Sequence, residues 1–158
     1  MKLYRITKEA FVENYNGRGA SFNDGARWNQ KGQPVVYFAL SASVAMLEIA
    51  NYTPSPRLIP KNSIMCVYEI PETVETDTLC KSKLPEDWDM FPYPESTQKI
   101  GGEWLAKGDK FGLIVPSSAV AGGLDNILIC NPLHDDVSKI KLISKLSNIY
   151  NPRTFSSL

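Results

Sequence analysis

Between Lys31 and Arg57 this 158-residue chain carries one formally charged residue, Glu48. The stretch opens at Pro34, runs through Val35-Val36-Tyr37-Phe38-Ala39-Leu40 and continues as Ser41-Ala42-Ser43-Val44-Ala45-Met46-Leu47-Glu48-Ile49-Ala50. β-Branched and aromatic residues behind a proline predict a buried strand over 35–40, and Ser41 or Ser43 is placed to cap a helix over about 42–52. Glu48 then falls one turn after Val44 on a mostly apolar helix. A lone carboxylate taken out of water is costly unless a cation or hydrogen-bond donors meet it, so Glu48 requires a partner. Arg27, ahead of the strand in Gly25-Ala26-Arg27-Trp28-Asn29-Gln30-Lys31-Gly32, is the upstream candidate.

With 43% hydrophobic and 22% charged residues, the chain has the apolar surface for a real core, and residues 1–158 read as a single domain. Seventeen Lys plus Arg balance 17 Asp plus Glu, so no basic field favours direct nucleic-acid binding. Cys66, Cys80 and Cys130 are odd in number and show no C-x-x-C spacing, which argues against a disulfide framework or a cysteine zinc site. The single histidine, His134, has no acidic or cysteine cluster around it, so no metal is expected. The N-terminus lacks the apolar core of a signal peptide and no run reaches the roughly 20 apolar residues of a membrane span, so the expected location is the cytoplasm.

Further strands are predicted over 3–6, 63–70 between Pro60 and Pro71, 111–116 ending at Pro116, and 126–131, with an exposed strand over 139–143. Thr53-Pro54-Ser55-Pro56 stops the first helix. A second helix is expected over 96–107, weakened by Gly101-Gly102, and the acidic stretch 72–93 reads as surface loop with a short helical turn. The class is α+β: one domain built on a mixed, largely buried β-sheet.

Arg27, Glu48 and Ser117 lie at the ends of apolar elements, where scaffolds present chemistry, and supply a permanent cation, a carboxylate and a hydroxyl. A Ser117–His134–Asp135/Asp136 triad has no Gly-x-Ser-x-Gly elbow to support it. The bland alternative makes Arg27 and Glu48 a structural ion pair, Tyr37 a core residue and Ser117 a turn cap.

The segment Gly25-Ala26-Arg27-Trp28-Asn29 followed by Gly32 resembles the signature of the RES domain, a bacterial toxin family named for Arg, Glu and Ser, with Ala26 in place of a glycine. Further similar positions follow in order: Tyr4-Arg5, Gly19-Ala20, Val36-Tyr37 with Ala39 and Ser41, Leu47-Glu48, Ile70-Pro71, Leu84-Pro85 with Trp88, Ile100-Gly101 with Trp104-Leu105, Val115-Pro116-Ser117, Asn126 before Asn131-Pro132-Leu133-His134, and Asn151-Pro152-Arg153. The doubled Ser117-Ser118 offers two hydroxyls, of which the resemblance favours Ser117. It implies an ADP-ribosyltransferase-like fold and NAD as substrate, cleaved at the nicotinamide–ribose bond. Glu48, Arg27 and Ser117 would then be catalytic, with Arg27, Tyr37, Trp28 and Asn126 binding NAD. It also implies a toxin paired with a helix-turn-helix, Xre-type antitoxin that covers the site, and leaves a homodimer open. The alternative function is a non-catalytic module that senses a nucleotide in the same pocket.

Overall fold

Val36 and Phe38 pack into one apolar cluster, whereas Val35, Tyr37 and Ala39 pack into another. The same split recurs in the stretch paired directly with this one, with Leu128 and Cys130 set against Ile127 and Ile129. An apolar run without polar alternation is therefore a strand covered on both faces. The computed structural model describes residues 1–53, 55, 58–151, 153 and 154. Its strands are β1 (Lys2–Lys8), β2 (Val36–Ala39), β3 (Ser63–Glu69), β4 (Thr76–Thr78), β5 (Gly112–Pro116), β6 (Asn126–Cys130) and β7 (Lys141–Leu146). The α-helices are α1 (Ala20–Asp24), α2 (Ala42–Ala50) and α3 (Glu95–Lys107). The strands form one mixed sheet in the order β4-β5-β6-β2-β1-β3-β7, antiparallel except for the parallel β4–β5 pair. This is the α+β architecture expected from the sequence.

One face of the sheet is sealed by Val12 and Tyr15 from the segment after β1 and by Val137 and Ile140 from the segment before β7. The other is covered by α2, through Val44 and Ala45, and by α3, through Ile100, Trp104 and Leu105. Ser41 rather than Ser43 caps α2, its hydroxyl accepting from the Val44 N–H at 3.2 Å. Prolines 54, 56 and 152, read above as a helix stop and as part of a closing motif, lie outside the described residues.

Three features depart from the sequence reading. Thr76–Thr78 is a strand, where residues 72–93 read as loop: with no apolar run of its own, it is recruited by backbone pairing to β5. The five-residue helix α1 sits inside the turn-rich stretch before Arg27. Most informative is α3, which runs unbroken through Gly101-Gly102 and ends on Gly108 in the left-handed conformation. Two glycines cost a helix about 1 kcal/mol each relative to alanine. Here they are required by close approach, because a Cβ on Gly101 would lie 2.0 Å from the Trp28 carbonyl oxygen. The second helix is thus pressed onto the backbone of the Arg27-Trp28 turn.

Candidate active site

The turn carrying Arg27 is built by Asn29. Its side chain is wholly buried, with Nδ2 donating to the Ser21 carbonyl at 2.7 Å and to the Gln30 carbonyl at 3.1 Å, while Oδ1 accepts from the Tyr37 hydroxyl at 2.8 Å. Gln98 of α3 donates to the Ala26 carbonyl at 3.0 Å from the other side. Both polar atoms of the Asn29 side chain are therefore engaged, Nδ2 by carbonyls around the turn and Oδ1 by Tyr37 of β2, which is why an Arg-Trp-Asn sequence holds a defined shape here.

Glu48 lies in the last turn of α2 and Ser117 immediately follows β5. They meet across 69 residues of chain: the Ser117 Oγ donates to Glu48 Oε1 at 2.6 Å. Ser117 is 0% exposed, its Oγ also accepts from the Ala119 N–H at 3.1 Å, and its own N–H donates to the Asp125 carbonyl at 2.9 Å. Both hydrogen-bonding roles of the hydroxyl are filled, and the short O–H···O⁻ bond orients the carboxylate. Ser118 is half-buried and the bond to Glu48 is made by Ser117.

Arg27 is not the partner of Glu48, contrary to the first expectation: among the described residues no ion pair joins them. The carboxylate's need is met by a neutral hydroxyl instead, because β5 delivers Ser117 to α2 while the Arg27 turn faces another segment. Arg27 Nη1 donates to the carbonyls of Trp88 at 2.6 Å and Met90 at 2.8 Å, and its guanidinium stands 5.3 Å from the centre of the Tyr93 ring. The cation is thereby anchored to that segment rather than paired with the carboxylate. Tyr52 feels both charges, and Tyr37 feels Glu48, Tyr52 and Tyr93, so these groups share one neighbourhood.

Tyr37 donates to Asn29 and accepts from the Trp28 N–H at 3.3 Å. Burial, reinforced by Tyr52, Tyr93 and Glu48, pushes its phenol far above the usual range, so it stays neutral. With its hydroxyl committed inward, what Tyr37 can offer a ligand is its partly exposed ring. Trp28 differs from its expected place among ligand-contacting residues: it is 0% exposed, packed in the core under the site, and its indole Nε1 has no partner among the described residues. The reason is α3, whose Gly101 packs against the Trp28 backbone. Asn126 opens β6 opposite Pro116; its N–H donates to Asp125 Oδ1 at 2.7 Å and its carbonyl accepts from the Leu40 N–H at 3.2 Å.

Sequence reasoning missed Asp125, Tyr52 and Tyr93. Asp125 Oδ2 accepts from the Ser41 hydroxyl at 3.1 Å, joining the N-cap of α2 to the loop that holds Ser117. Tyr52 had a signal, lying four residues after Glu48 on the same side of the helical path. Tyr93 had none, since only the fold brings residues 84–94 over Arg27. A cleft of about 700 Å³ lies elsewhere, lined among others by Val12, Tyr15, Pro132 and Leu142, and it contains none of Arg27, Glu48 or Ser117. Among the described residues no group of three or more His, Cys, Asp or Glu is arranged to hold a metal, and no helix is long and apolar enough to cross a membrane.

Known proteins share this arrangement's framework. The RES domain family matches residues 2–150. "Toxin Res" of Photorhabdus laumondii is 37% identical over 141 residues, spanning 88% of this chain and 86% of that protein. The "Prs ADP-ribosylating toxin" of a Sphingobium species is 31% identical over 156 residues, spanning 96% and 94%. In a crystal structure of the M. tuberculosis MbcT–MbcA toxin–antitoxin complex, one chain superposes with a TM-score of 0.66 at 18% identity, covering 92% of this chain and 82% of that one. That last likeness is one of fold.

Proposed function

This chain belongs to the RES family, and from that premise we propose that it is the toxin of a toxin–antitoxin pair and that it cleaves NAD at the nicotinamide–ribose bond. The observation that carries the reading is the 2.6 Å bond from Ser117 to Glu48, which holds the carboxylate in a fixed orientation in the neighbourhood that Tyr52 shares with Arg27, a cation with no ion pair among the described residues. Breaking a glycosidic bond to a cationic leaving group builds positive charge on the ribose. A preoriented carboxylate stabilises that charge more than it stabilises the ground state, as in glycoside hydrolysis.

Each residue then has a distinct task. Glu48 carries the negative charge, and Ser117 keeps that charge aimed. Arg27 would hold the pyrophosphate through the guanidinium edge that Nη1 leaves open, Nε and Nη2. Tyr37 would present its ring to the nicotinamide. Asn126 would bind from the start of β6, and Trp28 would support the site from beneath. No base is required to create a strong nucleophile when the leaving group departs first. The names of the relatives from Photorhabdus and Sphingobium support the toxin role and the ADP-ribosyl chemistry, and the neutral net charge fits a chain whose Xre-type antitoxin makes any DNA contact in the cytoplasm.

Incubating the purified chain with NAD and following nicotinamide release tests the reaction. Analysis of the second product identifies the acceptor: ADP-ribose for water, ADP-ribose phosphate for phosphate, or a labelled protein. Expression should arrest growth, and co-expression of the antitoxin should restore it. Tight NAD binding with no nicotinamide release would replace the enzyme by a nucleotide sensor.

A further inference from the structure

The segment from Leu84 to Pro94 is a strap fixed at several points. Leu84 and Trp88 pack into the core cluster under α3, and the Asp87 carboxylate accepts from the Ser96 hydroxyl at 2.7 Å. From this strap come the hydrogen-bond and ring partners of Arg27 among the described residues: the carbonyls of Trp88 and Met90 and the ring of Tyr93. The carbonyls occupy Nη1 and the ring backs the guanidinium, so the strap decides which edge of the fork is free. Tyr93 in turn is held from two sides. Phe91 meets its ring edge-on at 5.5 Å, and its hydroxyl lies 2.7 Å from the hydroxyl of Tyr52, in the turn that ends α2. Tyr52 is 65% exposed, and its hydroxyl bond to Tyr93 lies at the surface of the protein.

We propose that Tyr52 and Tyr93 are positioning residues for Arg27. Their hydroxyl pair ties the helix that carries Glu48 to the strap that aims the guanidinium, and so sets the spacing between carboxylate and cation. The inference rests on the reading of Arg27 as the pyrophosphate-holding residue. A hydroxyl pair on an exposed tyrosine adds little to global stability, whereas a small change in the aim of a bidentate fork is felt directly by a ligand. One shared hydrogen bond also makes a specific demand, that losing either partner and losing both should have the same effect.

The test uses the full chain with four substitutions: Tyr52→Phe, Tyr93→Phe, the double Phe variant, and Tyr93→Leu. Each single Phe variant should raise the KM for NAD about three- to tenfold with kcat within about twofold, as expected for loss of one hydrogen bond acting on ground-state and transition-state binding alike. The double variant should match the singles, and Tyr93→Leu, which also removes the ring behind the guanidinium, should raise KM further. In parallel, the Arg27 Nε–Hε NMR signal, assigned by its absence in Arg27→Lys, should shift in Tyr93→Leu and in Tyr52→Phe. The proposal is overturned if the Phe effects multiply in the double variant, or if the variants lose melting temperature while KM and the Arg27 signal stay put. Should the parent chain fail to consume NAD, the reading of its function falls while the NMR shifts still decide whether the two tyrosines position Arg27.

Discussion

Tyr68 and Tyr37 sit on opposite faces of one sheet, both with raised phenol pKa values caused first by burial, and both with their hydroxyls paired. Tyr68 donates to the Val12 carbonyl at 2.7 Å and is enclosed edge-on by Phe38 at 5.4 Å and Tyr15 at 5.9 Å. Its polar atom closes on backbone, and nothing is left over. Around Tyr37 the pairing runs from side chain to side chain, through Asn29, and the neighbouring Arg27 and Glu48 keep their charges apart. The first face closes its buried hydroxyl on a backbone carbonyl and is a core. The second pairs side chain with side chain, Tyr37 with Asn29 and Ser117 with Glu48, and leaves an oriented carboxylate and a cation not paired to it, which is what distinguishes a site from a core.

The comparison can be broken most forcefully from the packed side. Phe38→Ala, deep in the first face, should cost about 3–5 kcal/mol of unfolding free energy while the folded fraction keeps its NAD turnover. A variant that loses turnover without losing stability would mean that this face takes part in the chemistry. On the other face, Glu48→Gln should cut turnover by about 10²–10³-fold with melting temperature and NAD binding nearly unchanged. Stable protein that still cleaves NAD at the parent rate would leave Glu48 a structural residue.

Smaller effects sharpen the contrast. Ser117→Ala removes the donor that aims Glu48 and should lower kcat more than it raises KM, with roughly 1–3 kcal/mol at stake because a charged group loses its bond. Tyr68→Phe should instead cost about 1 kcal/mol of stability, through the stranded Val12 carbonyl, and leave kinetics unchanged. The smallest effect is in pH. Burial pushes the Cys130 thiol up to about 12 and raises Cys66 as well, both on the first face. Above about pH 9 the unfolded chain sheds these protons while the folded chain retains them, so the unfolded state binds fewer protons and stability falls as pH rises. Cys130 alone should account for about 1 kcal/mol of the loss at pH 10 in denaturant titrations, and Cys130→Ala should remove that share while leaving the part due to Cys66 and the buried tyrosines.

Much of this molecule was legible in the linear sequence. Apolar runs bounded by prolines located β2, β3, β5 and β6, because burial on both faces of a sheet leaves no polar alternation. The single charge on α2 announced that Glu48 needed a partner, since an unpaired carboxylate cannot remain on an apolar helix. Identity of that partner was not legible, because the choice between Arg27 and Ser117 is made by strand order, across 69 residues from Glu48 to Ser117 and 61 from Arg27 to Trp88. Local periodicity carries no information about such distances. The same limit hid β4, which exists only as a pairing, and Tyr93, which acquires a role only when the strap crosses Arg27. It also inverted the meaning of Gly101-Gly102: along the chain they weaken a helix, and in the folded protein they admit the Trp28 backbone. Sequence alone determined which residues had to be buried and which charge had to be met. Tertiary structure decided what met it, because hydrogen-bond partners are selected by where the packed elements place them.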